Sequence, residues 1–215
     1  YSTSSRSSKY MIVNDSGNGK LYSLYIDTNT GVTSQAPGSP VNVTSWLGWP
    51  FVDPNKKFIY IYDTTTTLCI VKLTSSTGAL TGPSNCNPVA LTHIATDTYT
   101  MAFDSTGSYA YIAANNGGTY QIDAYSINST TGVLSFIAGY ALPAQIEDLS
   151  LDPSGQYILA ELGLASSSYY SYRINGGGTL TAVNNVAIGF TGSAWHVWDR
   201  SNTLMYVAQS GSHQA

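Results

Sequence analysis

Two adjacent carboxylates, Glu147 and Asp148, and a histidine between tryptophans, His196 between Trp195 and Trp198, are the side chains of this 215-residue sequence best suited to chemistry. Neighbouring carboxylates repel, which raises the proton affinity of one of them, so the pair could serve as a general base or hold a cation. Glu147 is one of only two glutamates, Glu161 being the other. A histidine flanked by tryptophan can stack a sugar or orient a lactone carbonyl; it can equally be a core residue with one hydrogen-bond partner. His93 admits the same two readings. Arg173 and Arg200, two of three arginines, could grip a carboxylate or phosphate through paired hydrogen bonds. Trp46 and Trp49, in the loop SWLGWP, either form a stacking platform for a carbohydrate or plug a seam between sheets.

Several other chemistries find no residues here. No Gly-rich phosphate loop, zinc-ligand spacing or G-x-S-x-G turn occurs, so neither a cofactor nor a metal is expected. Charged residues make up 9% of the chain and the net charge is -4, too little basic field for a nucleic-acid partner. No apolar run approaches the roughly 18 residues of a membrane-spanning helix, and the N-terminal stretch lacks the pattern of a signal peptide, so the sequence reads as that of a soluble chain. Seventeen tyrosines and twenty glycines among many Ser and Thr, with few Lys, fit exported bacterial proteins. An extracellular or cell-surface location is expected, with the periplasm as the alternative. Cys69 and Cys86 flank the turn at Gly78, and a hairpin register with paired numbers summing to 155 would set them opposite one another. They would then form a disulfide or remain two buried thiols. Asn14, Asn42 and Asn128 head N-x-S/T triplets.

A repeat must position these side chains. The stretch DPNKKFIY from Asp53 returns as DSTGSYAY from Asp104, DPSGQYIL from Asp152 and DRSNTLMY from Asp199, with the aspartates 51, 48 and 47 residues apart. A truncated copy, SSKYMI, places Lys9 and Tyr10 where Lys57 and Phe58 stand. Each copy reads as a tight turn capped by its aspartate, then a strand. A second recurring element is a hairpin turn closed by glycine: DTNTG to Gly31, TSSTG to Gly78, NSTTG to Gly132 and NGGG to Gly178. Asp, Asn, Ser and Thr can hydrogen-bond the turn backbone, and the closing glycine can take positive φ. In FIYIY, Phe58, Tyr60 and Tyr62 face one side and Ile59 and Ile61 the other, so the strand needs cover on both faces.

Four strands per repeat of about 48 residues is the signature of a β-propeller blade. The expected fold is therefore all-β, a propeller of four-stranded antiparallel blades, with about four and a quarter blades present. Residues 1–8 read as a disordered end or upstream turn, 9–208 as the propeller and 209–215 as a tail or the start of the next blade. Unfinished terminal blades imply either part of a larger ring or completion by other copies.

The D-P-x-G-x-Y/F anchor, the Tyr125–Ile127 and Tyr172–Ile174 strand ends (with Tyr25 and Asp27) and the T-G-x-L turns at Thr77–Leu80 and Thr131–Leu134 resemble the lactonase-family seven-bladed propellers. That family includes propeller-type 6-phosphogluconolactonases and fungal carboxymuconate cyclases, and it is similar to the YVTN surface-layer propellers. The resemblance implies His, Arg and Glu side chains gathered at one channel mouth; the residues an enzyme reading would test are Glu147, His196 and Arg173, with Trp46, Trp49 and Asp148 as candidate ligand contacts. The Pro-His pair common in the family before the anchor aspartate is replaced by PAQIEDL and SAWHV. The first functional expectation is a surface binding or structural module. A lactone hydrolase or cyclase taking a small lactone or carbohydrate is the second, and a self-assembling fibre subunit the third. Convergence of Glu147, His196 and Arg173 within about 10 Å, close enough to contact one substrate, would favour the enzyme.

Overall fold

The computed structural model describes residues 9–15, 17–43, 47–82, 88–96, 98–163, 168–187, 194–199 and 204–209. They form a partial all-β propeller of antiparallel sheets, which divides into two compact units, Tyr1–Thr92 with Asn128–Leu134, and His93–Ile127 with Ser135–Ala215.

The first unit holds two sheets. In one, β1 (Tyr10–Asp15), β2 (Lys20–Ile26) and β3 (Thr33–Gln35) lie in sequence order, and β4 (Val41–Asn42) also pairs with β2. In the other, β5 (Leu47–Val52), β6 (Phe58–Thr64), β7 (Thr67–Thr74) and β8 (Ala79–Thr81) form a meander, and β9 (Pro88–Ala90) also pairs with β7. On β6, Ile59, Tyr60, Ile61 and Tyr62 are all fully buried, so both faces of the strand are covered. Each such side chain contributes about 1.5–3 kcal/mol by leaving water, which is why the alternation of two apolar faces selects a stacked sheet.

In the second unit, β10 (Ile94–Ala95) and β11 (Met101–Phe103) share one neighbour, β12 (Tyr109–Asn116), which is followed by β13 (Thr119–Ile127) and β14 (Leu134–Ala141, bar its first residue). The next blade is β15 (Ile146–Leu151), β16 (Tyr157–Leu162), β17 (Ser168–Ile174) and β18 (Leu180–Ala187). The hairpin β19 (Ala194–Trp198) and β20 (Met205–Gln209) ends the described chain. A core containing Tyr111, Ile122, Ile146, Leu149, Ile158 and Leu162 joins the first two blades of this unit, and no water reaches Ile122, Ile146, Ile158 or Leu162.

The anchor turns have one construction. Asp53 Oδ1 accepts from the N–H groups of Lys57 at 2.7 Å and Phe58 at 2.6 Å. Asp104 does the same for Ser108 and Tyr109, and Asp152 for Gln156 and Tyr157. Asp199 Oδ1 accepts from Leu204 N at 2.9 Å. Asp53 and Asp104 are themselves buried, so the turn N–H groups replace the water that each carboxylate gives up.

The hairpin glycines lie over the strand that follows an anchor turn. Gly132 has φ 78, and a Cβ there would enter the Phe58 ring. Tyr60, one turn of the pleat further on, donates its hydroxyl to Gly132 O at 2.8 Å. The pattern recurs with Gly78 over Tyr10, and in the second unit with Gly178 over Tyr109 and Tyr111 donating to Gly178 O at 3.3 Å.

Cys69 is fully buried on β7. The paired numbers sum to 153 between β7 and β8, as in Lys72 with Thr81, and to 157 between β7 and β9, where Cys69 faces Pro88. In place of the uniform register of 155 expected from the sequence, β7 thus meets β8 and β9 in two different registers. Cys86 lies outside the described residues, as do Trp46 and Arg200.

Candidate functional site

The second unit gathers polar side chains around the first strand of its second blade. β15 pairs with β16 through a register shift between Ile146 and Asp148, which makes Glu147 the extra residue of a bulge. Bulges re-aim side chains, and here the Glu147 carboxylate lies against Gly163, where a Cβ would overlap it. Beyond the bulge Asp148 faces Glu161 and Ser150 faces Leu159. Asp148 and Ser150, two apart on a strand, lie on one face.

A second irregularity supplies two hydroxyls. The chain breaks between β10 and β11, with Tyr99 in the left-handed region at φ 47. Thr98 Oγ1 then donates to Ile146 O at 2.7 Å and Thr100 Oγ1 to Asp148 Oδ1 at 2.9 Å. The N–H of Leu149 also donates to Asp148 Oδ1, at 2.9 Å. Crowding by protein raises the proton affinity of Asp148, and this outweighs the opposite effects of the Thr100 hydroxyl, His196 and the Leu149 N–H. Burial raises that of Glu147 as well. The Asp148 side chain nevertheless stays 45% exposed, so it can meet a solute.

His196, on β19, closes the group. Its Nε2 lies 2.8 Å from Ser150 Oγ, while its Nδ1 lies 3.4 Å from the Tyr169 hydroxyl and 3.6 Å from Asp148 Oδ2. Tyr169 in turn donates to the buried Glu161, Oε2 at 3.0 Å. Burial, then the Glu161 charge and hydrogen bond, push the Tyr169 hydroxyl far above its ordinary pKa, so it keeps its proton and spends it on Glu161. Towards His196 it can therefore only accept. The imidazole proton then sits on Nδ1, between Tyr169 and Asp148, and Nε2 presents its lone pair to the Ser150 hydroxyl. A lone pair held 2.8 Å from a hydroxyl by an oriented imidazole is the geometry of a general base and its proton donor.

The structure brings His196 and Asp148 together, with Glu147 adjacent to Asp148 on the bulge. Arg173 is exposed on β17, opposite Tyr157 and four residues, about 13 Å of strand, from Tyr169. Trp49 is 44% exposed on β5 of the first unit. His93 lies apart from this group within its unit: its Nδ1 is 2.9 Å from Asp123 Oδ2, whose side chain is fully buried and also accepts from Gln121 and Tyr125. Among the described residues no cluster of three metal-ligating side chains occurs. Ser150 and Tyr169 were not evident from the sequence. Neither stands in a motif, in a chain rich in Ser and Tyr, and the partners that distinguish them are 46 and 27 residues away.

No protein-family model matches the chain, and no curated protein matches it in sequence. Solved structures do match. A candidate 6-phosphogluconolactonase from Bacteroides uniformis superposes with a TM-score of 0.68 at 15% identity, covering 88% of this chain and 55% of that one. A second from Bacteroides fragilis gives 0.66 at 19% identity, over 97% and 62% of the two chains. The periplasmic gluconolactonase of Pseudomonas aeruginosa gives 0.59 at 12% identity, over 87% and 53%. The chain thus spans 53% to 62% of the length of these three neighbours, and what it shares with them is the β-propeller fold.

Proposed function

We propose that this chain carries the catalytic group of a lactone hydrolase, with His196 as its general base. The observation that carries the proposal is His196 Nε2 standing 2.8 Å from the Ser150 hydroxyl, with its other nitrogen facing Tyr169 and Asp148. Solved neighbours whose names describe gluconolactone chemistry support the same reading. A lactone is a cyclic ester, so hydrolysis needs a base for the attacking oxygen and an acid for the ring oxygen that leaves. His196 takes the first role. The imidazolium it becomes can supply the second, with the Asp148 carboxylate 3.6 Å from Nδ1 to balance its charge. The pair Ser150 and Asp148 leaves the substrate a partly exposed polar face on β15. The test is a pH-stat titration of the full chain with D-glucono-δ-lactone and its 6-phosphate. Turnover above the spontaneous rate supports the reading, and absence of turnover on both refutes it.

A surface-module reading is favoured by a different feature. Strand β18 is exposed at every position after Leu180, with Val183 at 56% and Val186 at 53%, and it ends its sheet. Such an edge can pair with a further strand, including one from a second copy. Concentration-dependent mass in light scattering would support self-association. We place the protein outside the cytoplasm, in the periplasm or at the cell surface, where a Cys69–Cys86 disulfide would persist. Among the described residues no helix is long and apolar enough to cross a membrane.

A further inference from the structure

We propose that Ser150 is itself the nucleophile, so that the acyl group passes through an ester on Ser150 Oγ before water releases it. This rests on the reading of His196 as a base and adds the identity of the atom it serves. Three observations carry it. Ser150 Oγ stands at hydrogen-bond distance from Nε2, 2.8 Å, the position a nucleophilic oxygen must occupy to be deprotonated directly. The opposite nitrogen faces a carboxylate, Asp148 Oδ2 at 3.6 Å, and a hydroxyl, Tyr169 at 3.4 Å, which between them hold the ring and balance the imidazolium formed on proton transfer. Ser150 is only partly buried and shares its strand face with the exposed Asp148, whereas the His196 side chain is 6% exposed. Of the two side chains, Ser150 is therefore the one more open to a substrate carbonyl.

The step balances without a further reagent. Ser150 Oγ bonds to the carbonyl carbon while His196 Nε2 takes the hydroxyl proton. The ring C–O bond breaks, and the departing oxygen receives that proton from His196. Water then attacks the Ser150 ester, His196 accepts one of its protons, and cleavage of the C–O bond to Ser150 returns the proton to Oγ. The sum is one lactone and one water giving one hydroxy acid. Since ring opening is not required by this sequence, open-chain activated esters are substrates too, and an added alcohol or hydroxylamine competes with water for the acyl group.

The experiment treats the full chain with a fluorophosphonate probe and locates the adduct by peptide mass spectrometry, alongside p-nitrophenyl acetate and D-glucono-δ-lactone hydrolysis by wild type, Ser150→Ala and His196→Asn. The expected result is an adduct on Ser150, a burst of p-nitrophenol, and loss of at least a hundredfold in lactone kcat/KM in both variants. Lactone hydrolysis by Ser150→Ala within threefold of wild type, with no adduct on Ser150, overturns the nucleophile and leaves His196 acting on water. An adduct on Ser150 with no lactone turnover by the wild type keeps the nucleophile and removes the lactone. If Ser150→Ala unfolds, the wild-type adduct site decides: Ser150 supports the proposal, another residue or none overturns it.

Discussion

The Tyr169 hydroxyl meets His196 Nδ1 at 3.4 Å as an acceptor, because its own proton is committed to Glu161 at 3.0 Å. A buried carboxylate on β16 thus sets which nitrogen of an imidazole on β19 is basic. Removing the hydroxyl with Tyr169→Phe removes this orientation but not the base. The expected outcome is a fall in lactone kcat of roughly fivefold with KM little changed, since one hydrogen bond is worth about 1 kcal/mol and 1.4 kcal/mol is about tenfold in rate. Steady-state kinetics on the variant decide it. A fall in Tyr169→Phe stability without a kinetic effect would mean that the network is structural.

The hairpin glycines separate two costs. Gly31 and Gly132 both have positive φ, 73 and 78, but a Cβ on Gly31 meets nothing within 4 Å whereas one on Gly132 strikes Phe58. Gly31→Ala should cost about 1 kcal/mol, the backbone strain alone. Gly132→Ala should cost about 2–4 kcal/mol, adding the overpacking of a filled site. Urea unfolding of the two variants measures the difference, and equal losses would contradict the packing of the 128–134 turn on β6.

Tyr60→Phe tests the same seam from the other side. It leaves Gly132 O without the buried hydroxyl that reaches it at 2.8 Å, at an expected cost of about 1–2 kcal/mol in unfolding free energy.

Asp152 gives a pH dependence of known sign. Burial opposes ionisation there, but hydrogen bonds from Ser154, Tyr157 and Gln156 together outweigh it and hold the folded pKa below the ordinary 3.8. The unfolded chain therefore binds the proton more tightly, and Asp152 contributes stability that is present above pH 3.8 and lost as pH falls through the lower, folded value. Thermal melts from pH 6 to pH 2, about the range that spans both values, should show a shallower acid loss for Asp152→Asn than for wild type. Parallel curves would contradict the turn hydrogen bonds.

The blade was readable because its signals are local. An aspartate, a short turn and a two-faced strand lie within eight residues of one another, and Asp53, Asp104 and Asp152 each bond the N–H groups four and five positions on. The candidate site was only partly readable, because strand alternation tells which residues share a face and not what stands across from them. Asp148 drew attention because it stands beside one of two glutamates, and His196 because it lies between tryptophans; Ser150 and Tyr169 did not, since they acquire their meaning from neighbours on other blades. Arg173 had the right chemistry, yet its strand carries it to the exposed end of the blade. The register about Cys69 departs from a single value for a related reason: strand alternation does not say that two separate strands, β8 and β9, pair with β7.

The expected Cys69–Cys86 bridge is open to a simple check. Intact mass with and without reductant, after alkylation under denaturing conditions, should show no label before reduction and two labels after it. Reduction should lower unfolding free energy by about 2–4 kcal/mol.

The central claim is that His196 is the base of a lactone hydrolase. Its most direct test is D-glucono-δ-lactone hydrolysis by wild type and His196→Asn, followed by pH-stat on samples whose thermal melts coincide. The account requires wild-type turnover and a loss of at least a hundredfold in the variant, the scale of general-base catalysis being about a hundredfold to ten-thousandfold. Equal rates in the two folded proteins would contradict it.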